Sequence, residues 1–400
     1  MRTFPFCLLA FVVLSLSACA PVGPPPAFYD YSGPPPAGRH GDLIRYKALP
    51  NAPVGSRAYR VLYKTTAEDG TVIPVSGMVV IPNTAAPAGG RPVVAWAHPT
   101  TGVIPQCAPS ISTLRYLMIP GLDAMLKAGY AVAATDYPGL GAGSVHPFLD
   151  GVSEARAVLD SVRAIGAIPG AATNDRFALW GHSQGGQAVM FAAQLASSYT
   201  PELKLAGAAA AAPATDLAQL FRDDLGTTGG NNLAALTLWS WSRVYGASFS
   251  NVVVPSAVPA IDTIAARCLD TVFSSSAKKK ADVSLSQAYF TVPDITRVEP
   301  WKSIILRNTP GVLPRSVPLF LSQSTTDEVV RPSVTFAFAR KQCEAGRTVD
   351  LDVITGVTHE WTAIKTADAA FRWLQDRMNG VPPLSDCGRL PSIEADPAKA

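Results

Sequence analysis

Gly181-His182-Ser183-Gln184-Gly185-Gly186 follows the apolar run Phe177-Ala178-Leu179-Trp180 and leads straight into Gln187-Ala188-Val189-Met190. This order forces a strand to turn at once into a helix. Only residues without a side chain fit the tightest points of such a turn. The serine between the glycines then sits at the head of the helix, where backbone N–H groups and the helix dipole favour negative charge. This is the Gly-x-Ser-x-Gly arrangement in the strand–turn–helix setting that exposes a serine hydroxyl. It restricts the chain to folds in which a buried strand ends under a helix.

The surrounding sequence agrees. Val72 to Ile81, Val93 to Ala97, Ala131 to Thr135, Phe177 to Trp180 and Leu205 to Ala212 read as strands. Leu114 to Ala128, with Pro120-Gly121 as a kink or break, reads as a helix, as do Ser153 to Ile168 and Gly185 to Ser198. Strands at Val317 to Leu321 and Val349 to Ile354 alternate with helices at about 332–343 and 361–379. Such alternation predicts a mostly parallel sheet covered by helices on both faces. Between about 216 and 310 it stops, and that stretch is expected to form a largely helical cap over the C-terminal edge of the sheet. Within it Leu233 to Tyr245 is amphipathic, and Leu238, Trp241 and Tyr245 can share one face.

The ends and the composition narrow the class. Phe4 to Leu16 is an apolar run too short to span a bilayer, and Leu16-Ser17-Ala18-Cys19 resembles a bacterial lipobox, in which the cysteine is lipidated. Residues 1–18 are expected to be a signal peptide, and 19–45, rich in Pro and Gly, a stiff tether. Residues 46–215 and 311–400 would form the two parts of the core, with 216–310 the cap. The implied location is the cell envelope, with Ala20 after the cysteine favouring the outer membrane, and the membrane contact is through the lipid on Cys19. A net charge of +3 and no basic cluster larger than Lys278-Lys279-Lys280 give nucleic-acid binding no electrostatic support. Setting aside Cys7 and Cys19, four cysteines remain: Cys107, Cys268, Cys343 and Cys387. An even number in an exported chain favours disulfides, and the absence of a CxxC pair argues against a zinc site.

A serine hydroxyl needs a base to take its proton and an acid to orient that base. In a chain ordered serine, acid, histidine, only one of the five histidines lies after Ser183, namely His359. Asp327 lies in the loop beyond the strand Leu319-Phe320-Leu321 and is the expected acid, with Glu328 as its rival. An oxyanion forming on an attacked carbonyl needs two fixed N–H donors. Gln184 supplies one. The loop His98-Pro99-Thr100-Thr101-Gly102 supplies the other, from Thr100 or, as second choice, Thr101, because Pro99 has no N–H.

Several further motifs carry a family resemblance. Trp96 to Gly102, Cys107-Ala108-Pro109-Ser110, Asp136-Tyr137-Pro138-Gly139-Leu140-Gly141, His146-Pro147-Phe148-Leu149 and Glu154 to Asp160, with the serine turn, resemble the secretory lipases of fungi and bacteria, the lipase A type. The resemblance implies an α/β-hydrolase fold and hydrolysis of acylglycerols or other carboxylic esters through an acyl-enzyme on Ser183. It implies no metal or organic cofactor. A small-ester esterase or an acyltransferase of the same fold is the alternative, ahead of a peptidase or a noncatalytic envelope protein. The expected disulfides are Cys107–Cys268 and Cys343–Cys387, and the face around Leu238, Trp241 and Tyr245 is expected to pack mostly on the core while also lining the acyl pocket.

Overall fold

The computed structural model describes residues 24–391 apart from 32, 34–36, 144, 270–284 and 286–288. The signal segment, Cys19 and the lysine run at 278–280 lie outside the described residues. Nine strands form one sheet: β1 (Leu43–Ala48), β2 (Ser56–Thr66), β3 (Val72–Pro82), β4 (Arg91–Ala97), β5 (Ala131–Thr135), β6 (Thr173–His182), β7 (Lys204–Ala211), β8 (Leu319–Ser324) and β9 (Val349–Ile354). Their order across the sheet is β1-β2-β3-β5-β4-β6-β7-β8-β9. β1 to β3 run antiparallel and join β5 antiparallel, while β5, β4, β6, β7, β8 and β9 are parallel.

Both faces are covered, as the near-continuous apolar runs of the parallel strands require. On one face pack α2 (Gly151–Gly166) and α3 (Gln184–Tyr199), with Val158, Leu159, Val162 and Ile165 against Phe177 and Leu179. Asp150 caps α2, accepting from the Ser153 N–H at 3.0 Å. The other face carries α1 (Leu122–Lys127) and the last helix, His359–Met378, whose Phe371, Trp373 and Leu374 meet Trp96, Trp180 and Phe320. α1 is shorter than the helix expected from residue 114, because it starts only after Gly121, which has φ 81°.

Two expectations need correction. The chain gains β1 and β2, which lie before the first expected strand. The supposed tether is also partly docked: Tyr29 is buried, and its hydroxyl lies 2.7 Å from Ser110 Oγ.

Between β7 and β8 lies an insertion of helices with its own apolar core: α4 (Leu217–Asp224), α5 (Thr228–Val244), α6 (Val258–Ala265) and α7 (Trp301–Arg307). Side chains of Asp216 and Thr227 cap α4 and α5. After β8 come α8 (Pro332–Glu344), β9 and α9, the His359–Met378 helix. Cys107, in the loop after β4, is bonded to Cys268, just beyond α6. Cys343 of α8 is bonded to Cys387 beyond α9.

Candidate active site

β4 lies between β5 and β6, so the chain leaves it toward one side and the next crossover returns on the other. Such a switch point opens a crevice at the carboxyl ends of the strands. The loops after β4 and β6 meet there.

The turn after β6 is tight. Ser183 has φ 56° and ψ −119°, outside the comfortable range of an L-residue. Strain of this kind costs about 1–3 kcal/mol and is held by its surroundings. Here the Ser183 N–H donates to Ala211 O at 3.0 Å, and the Ala214 N–H donates to Ser183 O at 3.2 Å. A Cβ on Gly181 would collide with Gly185 O, and one on Gly185 would collide with Ala97 O. The glycines therefore allow α3 to start against both its own strand and β4.

Ser183 occupies the N-cap position of α3, yet its hydroxyl makes no cap bond. It lies 2.8 Å from His359 Nε2, and His359 Nδ1 lies 2.8 Å from Asp327 Oδ2. Asp327 Oδ1 accepts the N–H groups of Val329 and Val330, both at 2.9 Å, and Gln323 Nε2 donates to Oδ2 at 3.3 Å. These donors fix the carboxylate as an acceptor, so Nδ1 carries the proton and Nε2 faces the serine with a lone pair. Burial alone would lower the pKa of His359. The charge and hydrogen bond of Asp327, helped by Glu360, outweigh it and raise the pKa above 6.5. His182 packs its ring 4.8 Å from that of His359 and donates from Nε2 to His359 O at 3.0 Å. Glu328, the rival acid, is exposed.

Gln184 and Thr100 line the same pocket as Ser183. Thr101 is buried behind them, and its carbonyl accepts the Leu269 N–H at 2.8 Å. His98 is a packing residue, buried with Nε2 3.2 Å from Asp136 O, and burial lowers its pKa to about 4.

The support of Gln184 was not foreseen. Its Nε2 donates to His146 Nε2 at 2.8 Å and to Glu154 Oε1 at 2.7 Å. His146 can accept because its Nδ1 donates to Pro138 O at 2.9 Å, and burial keeps the ring neutral, its pKa near 3. Burial drives Glu154 well above the usual carboxyl range. Both residues lie in motifs noted in the sequence, but nothing in their spacing reveals which side chain they hold.

The pocket beside Ser183 is a narrow, mostly apolar cavity of about 60 Å³, walled by Phe148, Leu149, Leu217, Phe221, Leu233 and Val330 among others. α5 contributes Gly230, Leu233, Ala234 and Thr237. The face expected to line it does not do so. Trp241 is fully buried inside the insertion, stacked on Trp301 at 6.3 Å, with its indole N–H donating to Phe148 O at 2.7 Å.

Comparison with solved structures places the chain in a known fold. Lipase A of Candida antarctica aligns with a TM-score of 0.73 at 19% identity, covering 89% of this chain and 86% of that one. The rice cell wall degrading esterase LipA of Xanthomonas oryzae aligns with a TM-score of 0.67 at 19% identity, covering 86% of this chain and 98% of that one. The protein thus has the α/β-hydrolase fold. A family model described as secretory lipase matches residues 113–386. Lipase A of Arthroderma benhamiae is 27% identical, over 94% of this chain and 84% of that protein. The chain belongs to the secretory lipase family, and it is an exported hydrolase of carboxylic esters.

Proposed function

We propose that the enzyme cleaves carboxylic esters of lipids through an acyl-enzyme on Ser183, with His359 as base and Asp327 as the acid that orients it. The observation that carries this reading is the unbroken hydrogen-bonded chain from Ser183 Oγ through His359 to Asp327. Oγ attacks the ester carbonyl as its proton passes to Nε2. The resulting imidazolium is stabilised by the Asp327 carboxylate. The oxyanion is met by the backbone N–H groups of Gln184, at the head of α3, and of Thr100. Collapse breaks the bond to the alcohol, which leaves with the proton from Nε2. A water then gives its proton to Nε2 and attacks the acyl carbon, and the acid is released as Ser183 recovers its proton.

In this reading residues 216–310 act as a cap, and the apolar pocket takes the acyl chain. Triacylglycerol and longer acyl esters are the substrate class. A small-ester esterase is the second reading, favoured by one observation, the small volume of the cavity. Export by a signal peptide and a lipid anchor on Cys19 belong to the same proposal, supported by the apolar run and Leu16-Ser17-Ala18-Cys19.

The test is a series of p-nitrophenyl esters of increasing chain length beside an emulsified triglyceride and a peptide amide. Turnover of the longer esters and the triglyceride is expected. Cleavage confined to acetate and butyrate would leave the esterase reading instead, and cleavage of the amide alone would overturn both. Metabolic labelling with a fatty acid, in wild type and Cys19→Ser, tests the anchor: equal labelling of the two would refute it.

A further inference from the structure

One ionisable group in the pocket has no part in these steps. Asp224 ends α4 and lines the pocket with Leu217, Leu220, Phe221 and Leu225. It is 7% exposed, and no hydrogen-bond donor among the described residues reaches its buried Oδ1. A carboxyl here gains nothing from its own helix, because the C-terminal end repels negative charge. Yet its position is fixed. The Asp224 carbonyl accepts from the N–H of Thr227 at 3.0 Å and from its hydroxyl at 2.8 Å. The Asp224 Cβ lies so close to Gly230 that any side chain at that position would collide with it. The turn between α4 and α5 therefore holds the carboxyl against an apolar pocket.

A buried polar atom without a partner is unfavourable and invites a ligand group that pairs with it. Burial pushes the Asp224 pKa up to about 8. Asp223 and Asp327 add to the rise, and Arg331 and His359 oppose it. Near neutral pH the group is a carboxylic acid, with one oxygen that accepts and one that donates. An alcohol is its complement, since a hydroxyl also donates once and accepts. Thr237, on the same pocket, offers less, because its hydroxyl already donates to Leu233 O at 2.9 Å.

We propose that Asp224 is a specificity-determining residue that hydrogen-bonds a hydroxyl on the acyl chain, so that esters of hydroxylated fatty acids are preferred to their unsubstituted counterparts. This rests on the hydrolase reading and on the acyl chain occupying this pocket. A hydroxyl at the right depth pairs the buried oxygen, whereas a plain chain covers it and leaves it unpaired. Sites that pair a substrate hydroxyl discriminate far more sharply than apolar pockets do for a methylene.

The experiment compares kcat/KM for methyl octanoate with a set of methyl monohydroxyoctanoates that differ in hydroxyl position, for wild type, Asp224→Asn and Asp224→Leu. At the best position the wild type is expected to favour the hydroxylated ester by about 10-fold or more. Asp224→Leu should remove that preference, and Asp224→Asn, which keeps a donor and an acceptor, should retain much of it. Near-UV circular dichroism and a melting curve establish that each variant is folded. If Asp224→Leu fails to fold, the wild-type positional profile and Asp224→Asn still decide. A wild type indifferent to every hydroxyl position overturns the proposal, as does a ratio unchanged in Asp224→Leu. Hydrolysis of methyl octanoate with no hydroxyl preference would sink this inference alone. Failure to cleave any ester would sink the hydrolase reading with it.

Discussion

The side-chain amide of Gln184 donates across 2.7 Å to Oε1 of Glu154, a residue with no exposed surface. The same oxygen accepts the Leu149 N–H at 2.9 Å. One acceptor thus ties the start of α3, where the proposed oxyanion donor lies, to the start of α2. Removing the acceptor in Glu154→Ala should leave the amide loose and lower kcat about 10-fold with little change in KM. Stability should fall by about 1–3 kcal/mol, because buried donors lose their partner. Glu154→Gln keeps an acceptor and no new charge, and its kcat is expected to stay within a few-fold of wild type. Steady-state kinetics with a short soluble ester would check this; equal losses in the two variants would contradict it.

Replacing the proposed nucleophile should separate activity from stability. Ser183→Ala is expected to lower kcat on the order of 10⁶-fold with the fold intact. Ser183→Gly should be equally inactive, yet more stable by about 1 kcal/mol, because glycine adopts φ 56° without strain. Urea denaturation of the two variants side by side measures the difference. A glycine variant no more stable than the alanine variant would mean that the turn is not strained.

The acid can be identified by a pair of amides. Asp327→Asn should lower kcat on the order of 10⁴-fold, since an amide at that position favours the wrong imidazole tautomer. Glu328→Gln, on an exposed side chain, should change kcat less than about 2-fold. The reverse ranking would assign the role to Glu328.

The pH profile follows from His359. The base must be neutral to accept the serine proton, and its pKa is raised above 6.5, chiefly by Asp327 against the opposing effect of burial. kcat/KM should therefore rise with pH through a midpoint above 6.5 and fall away in acid. Glu360 also raises the pKa, so Glu360→Gln should move the midpoint down. The neighbouring His182, its pKa pushed well below 6.5 by burial, stays neutral across this range. A midpoint in Glu360→Gln at or above that of wild type would contradict the assignment.

Cys343 and Cys387 close a loop of sequence separation 44. The chain-entropy model gives such a loop a stabilisation of roughly 4 kcal/mol. A Cys343→Ser, Cys387→Ser double variant should lose about that much in chemical denaturation while keeping most of its ester hydrolysis. A loss below about 1 kcal/mol would show that the tail is held by its contacts alone.

Much of the central architecture could be read from residue order, because strand, turn and helix there are each set by local chemistry. Phe177 to Trp180 is apolar on both faces, as a central parallel strand must be, and the glycines beside Ser183 allow one compact turn. β1 and β2 were hidden because Arg45 and Lys47 in the first and Arg57, Arg60 and Lys64 in the second interrupt their apolar residues, and β1 joins the sheet only through β2, which in turn pairs with β3. The wall of the pocket was misread for a related reason. Helical spacing shows that Leu238, Trp241 and Tyr245 share a face, but not whether that face meets the pocket or the interior of the insertion. Trp241 went inward because its indole N–H finds Phe148 O there. Asp224 gave no signal at all: Arg222-Asp223-Asp224 reads as an ordinary polar helix end, and the bonds from Thr227 and the packing of Gly230 that hold it inside come from the turn beyond it.

The bond from Cys107 to Cys268 has a mechanical consequence. The chain leaves the sheet at Ala211 and is covalently returned, after α4, α5 and α6, to the loop that follows β4. Those three helices are therefore an arch with two footings, not a flap on one hinge. Without that bond the same helices would be tied to the sheet only by the chain itself, at Ala211 and, beyond α7, at Leu319.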